Sequence, residues 1–181
     1  MKGDVTAMQL EVRTRVGDRP DVAAPITTPR SGARALAAVR QHWPEYLMEA
    51  IGLGLFMLSA CLFVTVLEHP NSPLRQTVTD PFLRRIPMGL AMGLTAVGLI
   101  YSPWGQRSGA HLNPSVTLIF WRLGKVAHWD AFFYVTAQFV GAIVGVGVAA
   151  AMLDVRLAHP AVSYAATVPG GGGAGVAFVA E

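Results

Sequence analysis

Asn113 followed by Pro114 is the pair in this chain whose types and order most sharply specify a chemical geometry. Asparagine is among the strongest helix N-caps and proline is favoured in the first turn, so a helix should begin here. The pair lies inside Ser108–Trp121 (SGAHLNPSVTLIFW), a fourteen-residue stretch without Asp, Glu, Lys or Arg. A hydrocarbon core of about 30 Å needs roughly 20 apolar residues as helix, so this stretch is too short to cross. It reads instead as a re-entrant element, unwound over Gly109, Ala110, His111 and Leu112 and helical after Asn113. A half-helix starting at membrane depth would aim its positive dipole end and the Asn113 amide at whatever occupies the cavity. The four unwound carbonyls would be free, which membrane depth tolerates only along a water-filled path or against protein. A donor beside a file of acceptors makes hydrogen-bond stations for small polar molecules. The competing readings are an ordinary loop-to-helix cap and an amphipathic helix lying on the surface. Ser108, His111, Asn113, Ser115 and Thr117 are spread along the segment rather than gathered on one stripe, which favours re-entry.

Two further polar residues fall where a bilayer would bury them. Glu49 opens the first long apolar run and Gln138 lies inside the third. A buried ionisable group in a membrane is a functional candidate by default; Glu49 could also snorkel to the interface, and Gln138 could serve as interhelical glue. Enzymatic chemistry finds little support. His111 with Ser108 is the one nucleophile–base candidate, and no acid orients the histidine. The five histidines show neither HExxH nor HxxxH spacing, and the single Cys61 excludes an intrachain disulfide or a cysteine-cluster zinc site. No metal or other cofactor is expected.

The elements that must hold these residues are apolar helices. Of 181 residues 52% are hydrophobic and only 14% charged, with a mean hydropathy of +0.44, against about 25% charge in a soluble domain. The uncharged runs 50–67, 86–106 and 131–153 can each span, giving expected spans of about 46–67, 86–106 and 131–153 with the re-entrant segment at 108–121. Aromatic residues near their ends, among them Trp43, Tyr46, Tyr101, Trp104, Trp121, Trp129 and Tyr134, match interfacial anchors. Gly89 with Gly93 and Gly141 with Gly145 provide small residues at helix-crossing spacing; Gly52 has Phe56 at that spacing, with Gly54 a further small residue beside it. The net charge of +3 belongs to the tail: seven of fourteen basic residues lie in the first forty, and beyond residue 40 seven basic residues balance seven acidic ones. Residues 1–43 therefore read as a basic, disordered or weakly helical cytoplasmic tail, and 44–181 as the membrane body. Nucleic-acid binding is not expected, because acidic residues interrupt the basic ones and no aromatics interleave them. A cytoplasmic tail puts 68–85 and 154–173 outside and 107–130 inside; Arg84 and Arg85 oppose that assignment. Pro160, Pro169 and Gly170–Gly173 mark a loop, and a fourth helix is expected from about residue 175.

SGAHLNPSVTLIF at 108–120 closely resembles the first signature of the major intrinsic proteins, the aquaporins and glycerol facilitators, which run SG(A/G)HxNPAVT. YLMEAIGLGLFM at 46–57, GLAMGLTAVGLIY at 89–101 and YVTAQFVGAIVG at 134–145 are similar to that family's first three helices, and GVAFVAE at 175–181 to the opening of its fourth. The resemblance implies an all-α, inverted-repeat channel fold of which this chain corresponds to the first repeat. It implies a passive channel in the plasma (inner) membrane for water or small uncharged solutes, homotetrameric when full length. Asn113, Pro114 and Ser115 would occupy the family's NPA tripeptide, and Gly109, Ala110, His111 and Leu112 would supply the carbonyl approach. Glu49 would brace the re-entrant loop with Gln138 in the same network, and Glu181 would be its counterpart on the fourth helix. Met92 would stand at the second-helix position of the outer selectivity filter. Two departures bear on the solute: the tripeptide is NPS, and Met92 is flexible where the family's usual aromatics are rigid. Water, glycerol, ammonia, urea and metalloid acids stay open. The rival readings are a non-conducting membrane fragment and a half-channel that pairs with a second copy.

Overall fold

A computed structural model of the chain describes residues 31–168 and 173–180. Two units are distinguished, Met1–Ala33 and Arg34–Glu181; the packing below is that of the second. Every element among the described residues is helical: α1 Ser31–Glu68, α2 Pro73–Thr77, α3 Pro81–Tyr101, α4 Pro103–Ser108, α5 Pro114–Arg122, α6 His128–Leu153, α7 Val155–Ala158, a 3-10 turn Ser163–Ala165, and α8 Gly173–Ala180. Three of these, α1, α3 and α6, are long and apolar enough to cross a bilayer.

The helix ends differ from the hydropathy limits for local reasons. Residues 31–43, expected in the tail, form the opening turns of α1. Ala33, Ala35, Ala37 and Ala38, with Leu36, Arg34 and Arg40, are strong helix formers and run into the apolar stretch without a break. Pro44 is accommodated inside the helix. Residues 1–30 of the expected tail lie outside the described residues. Helix α3 starts at 81 rather than 86, because the Asp80 carboxylate accepts the Phe82 N–H at 2.8 Å and Pro81 takes the first helical position. It ends at Tyr101, not 106. Ser102 precedes a proline and is extended, at ψ 153°, as such a residue must be. The Ser102 hydroxyl then accepts the Gly105 N–H at 3.0 Å and caps a separate short helix, α4, where the uncharged run 86–106 suggests one continuous span. Gly105 is required there: a Cβ would collide with the Leu99 carbonyl.

Glycines decide which helices touch. A Cβ on Gly141 would run into the Ala50 carbonyl, one on Gly145 into that of Gly54, and one on Gly54 into that of Gly141, so α1 and α6 cross backbone to backbone. Gly89 and Gly93, expected to serve the same purpose, have open space beside them. Helix α3 is tied to α1 instead by the hydroxyls of Ser59 and Thr95, 2.8 Å apart. At one end of the bundle Cys61, Ala149, Leu157 and Val162 form an apolar cluster between α1, α6 and the segment after α6. In the first turn of α3, Arg84, 4% exposed, bonds Glu68 through Nε at 3.1 Å and Nη2 at 2.9 Å, and donates through Nη1 to the carbonyls of Val78 and Thr79. Of the two charges that oppose the topological assignment, Arg84 is thus paired within the connection between α1 and α3, while Arg85 stays exposed. Tyr46 and Tyr134 are not interfacial anchors but are buried among α1, α6 and α4. Elsewhere large apolar side chains face outward, while the buried set includes Glu49, Ser108, Thr117 and Gln138. A polar interior inside an apolar exterior is what a hydrocarbon solvent selects, and the chain is an integral membrane protein.

Candidate functional site

The segment between α4 and α5 carries an unusual backbone. Gly109, Ala110 and Leu112 have φ of 90°, 46° and 48°, in the left-handed region, and Asn113 is extended at −159°. For Ala110 and Leu112, each with a Cβ, that conformation costs about 1–2 kcal/mol per residue. Such strain persists when the surroundings over-determine the conformation, and here they do so through one carboxylate. Glu49 has no solvent exposure. Its Oε1 accepts the Ser108 hydroxyl at 2.8 Å and the His111 N–H at 3.0 Å, and its Oε2 accepts the Leu112 N–H at 2.7 Å and the Gln138 amide at 2.9 Å. Donors on both oxygens are the pattern of an acceptor-only group.

Further bonds seat the half-helix on the same centre. The Gln138 amide also donates to the Thr117 hydroxyl at 3.0 Å, and Thr117 is wholly buried in the first turn of α5. The His111 ring shares a 3.0 Å bond with that hydroxyl and stacks on Phe120, centroids 4.9 Å apart. The Tyr134 hydroxyl donates to the Ser108 carbonyl at 2.7 Å. The inward-turned N–H groups of the loop are therefore satisfied. Among the described residues, no hydrogen bond reaches the carbonyls of Gly109, Ala110, His111 or Leu112. Asn113 caps α5 by accepting the Ser115 N–H on Oδ1 at 2.8 Å, which leaves the amide hydrogens outside the cap. Asn113 and Ser115 are exposed. Helix α5 has nine residues, ~14 Å at 1.5 Å per residue, well short of a bilayer crossing.

A cleft opens beside the loop, lined by His42, Glu45, Ser108, His111, Asp130 and Tyr134 among others. Its far wall is held together by Asp130, whose Oδ1 takes the Tyr46 hydroxyl at 2.5 Å and the His42 ring nitrogen at 2.9 Å. Arg107 bonds Glu45 at 3.0 Å nearby.

The residues singled out from sequence thus fall into three groups. Glu49, Gln138, His111 and Leu112 are joined by direct bonds, and Asn113, Pro114 and Ser115 follow from the same loop. Met92 is half-buried on α3 and takes part in none of these bonds. Glu181 lies outside the described residues. Ser108 and His111, weighed as a nucleophile–base candidate and not favoured, do not bond each other: His111 bonds Thr117, while the Ser108 hydroxyl goes to Glu49. Thr117 and Tyr134 were missed as parts of the site. Thr117 carried a signal, since it lies one turn after Asn113, whose carbonyl accepts its N–H at 3.1 Å. Tyr134 carried none beyond its place near the start of a span.

Comparison with known proteins bears on the same segments. Human Aquaporin-5 is 43% identical over 63 residues, 35% of this chain and 23% of that protein. Aquaglyceroporin AqpS of Rhizobium meliloti (strain 1021) is 38% identical over 106 residues, 59% of this chain and 42% of its own length. Probable aquaporin NIP7-1 of Arabidopsis thaliana is 30% identical over 121 residues, 65% of this chain and 40% of its own. The chain therefore spans between about a quarter and two-fifths of these relatives. No solved structure matches it. The family profile described as Major intrinsic protein matches residues 37–181. That match begins on α1 and takes in the Glu49 centre, the left-handed loop and the Asn113-capped half-helix, and by it the chain belongs to the major intrinsic protein family.

Proposed function

We propose that this chain forms one wall of a passive, non-catalytic channel for water and small uncharged solutes, with Asn113 and the Gly109–Leu112 carbonyls as its hydrogen-bond stations. The observation that carries the reading is the division of labour in the loop. Glu49 and Ser108 take the inward N–H and hydroxyl donors, and the carbonyls are left for a passing molecule. A cap that uses Asn113 Oδ1 internally leaves its amide as a donor at the start of the half-helix, where the dipole is positive and disfavours cations. Uncharged molecules that both donate and accept can exchange water for these groups; ions cannot recover their hydration from them. Relatives named aquaporin and aquaglyceroporin support the same class of solute. Met92 is proposed as the α3 residue of the solute filter, and a flexible thioether there suits glycerol-sized molecules as well as water. The Glu181 position is proposed as the brace of a second such loop, and a homotetramer in the plasma membrane with the N-terminus cytoplasmic as the setting.

The exposure of Asn113 and Ser115 means that another wall must face them. A second repeat within a longer protein is the reading favoured by the share of its relatives that this chain spans; a second copy of the chain is the other. Stopped-flow flux of water and glycerol into liposomes containing the protein that carries this chain tests the proposal. Asn113→Asp replaces the donor by an acceptor and is expected to lower both fluxes at least about tenfold, roughly the 1.4 kcal/mol of one hydrogen bond. Met92→Phe is expected to lower glycerol flux more than water flux. Unchanged fluxes in Asn113→Asp would overturn the assignment of the path.

A further inference from the structure

Two histidine–proline pairs, His69–Pro70 and His159–Pro160, stand in the connections after α1 and after α6. Two spans, α3 and α6, separate them, so both lie on the same side of the membrane. The structure folds them alike. His69 Nδ1 accepts the Asn71 N–H at 3.2 Å, and its carbonyl accepts the Ser72 N–H at 2.9 Å. His159 Nδ1 accepts the Ala161 N–H at 3.1 Å, and its carbonyl accepts those of Val162 and Ser163 at 2.8 and 2.9 Å. The two half-buried rings then meet edge to face, centroids 5.1 Å apart. A ring nitrogen that accepts a backbone N–H carries no proton, so this arrangement needs both imidazoles neutral with hydrogen on Nε2.

We propose that the His69–His159 pair is an acid-released latch between these two connections. Protonation of either ring puts a hydrogen on Nδ1 opposite the N–H it had accepted, which breaks that turn. Protonation of both adds two like charges at the 5.1 Å contact. The charged groups of the surrounding elements are otherwise committed or unattached to the rings. Glu68 is held by Arg84 and Arg75, and Asp80 caps α3. Asp154 precedes α7 and Arg156 lies within it, its carbonyl accepting the His159 N–H. Among the described residues none of these side chains pairs with either ring, so no anion is in place to hold an imidazolium. A bound metal is the poorer reading: ligation through Nε2 would move the ring proton to Nδ1, against the same backbone N–H.

The latched segment is ready to move. Ser163, Tyr164 and Ala165 have φ of 45°, 54° and 59°, three consecutive left-handed residues with side chains. That conformation is disfavoured at each and relaxes when its anchors let go. Leu157 and Val162 remain buried against Cys61 and Ala149, so release is local to the loops and leaves the bundle intact.

Hydrogen exchange of the full chain in lipid nanodiscs, corrected for the intrinsic pH dependence of exchange, tests the latch. Between about pH 7.5 and about pH 5.5, peptides covering 69–77 and 159–166 are expected to lose protection roughly tenfold, together, while 134–149 stays protected. In His69→Asn/His159→Asn, Oδ1 takes the place of Nδ1 as acceptor of the same N–H and does not titrate. Protection there is expected to be independent of pH. Wild-type loops equally protected at both pH values, or loops that open at different pH values, would overturn the latch. So would an equal loss in the double variant. Should that variant not fold, the wild-type comparison decides alone.

Discussion

Replacing Glu49 by leucine would leave the Ser108 hydroxyl, the His111 and Leu112 N–H groups and one Gln138 amide hydrogen without their acceptor. An unmet buried donor costs about 1–3 kcal/mol, so even one or two such losses are large against the whole stability of a domain. Glu49→Gln keeps one acceptor oxygen, and the Ser108 hydroxyl can turn to accept from the new amide. It still sets an N–H2 against a backbone N–H, so an intermediate loss is expected. The yield and thermal stability of folded protein in detergent should fall in the order wild type, Glu49→Gln, Glu49→Leu. Equal stability of the two variants would mean that the carboxylate does not brace the loop. The strained φ values of Ala110 and Leu112 belong to the same account, since they turn those N–H groups toward one carboxylate.

Between elements the decisive quantity is how closely backbones approach. Helices α1 and α6 touch through Gly54, Gly141 and Gly145, where a Cβ meets main-chain oxygen rather than a side chain that could turn away. Gly141→Ala is therefore expected to force the helices apart, at a cost of about 1–3 kcal/mol typical of overpacking. Gly93→Ala on α3 meets nothing within 4 Å. It should be neutral or stabilising by up to about 1 kcal/mol through helix propensity. Thermal unfolding of the two variants in the same detergent checks the contrast; a Gly141→Ala protein as stable as wild type would show that the crossing is looser. The crossing also aligns Glu49 on α1 with Gln138 on α6, so a wider separation should weaken the loop anchor as well.

At the scale of the molecule, the 181-residue chain by itself is expected to conduct neither water nor glycerol above the background of empty liposomes. Asn113 and Ser115 face outward, and the four carbonyls lack partners among the described residues. Lipid against that face cannot hydrate them. Stopped-flow flux with a proton-leak assay on the purified chain checks this. Fast flux without proton leak, abolished by Asn113→Asp, would instead favour two copies pairing around one path. Much of this architecture was legible in the residues alone. Three apolar runs specify three spanning helices because hydrocarbon admits little else, and Asn113–Pro114 specifies a helix start because its two side chains have few other low-energy uses. Sequence proximity could not say where long-range partners lie. Glu49 and Leu112 are 63 residues apart, and Glu49 and Gln138 are 89 apart. The same limit hid Arg84 beneath Glu68 and left the partner of His111, Thr117, undetermined. Helix ends moved because caps and prolines at 80–81 and 102–103 act within one turn, below the resolution of a hydropathy window. Which face each polar side chain turned to was decided by tertiary packing, since a buried donor goes where an acceptor exists, and that acceptor lay on another helix.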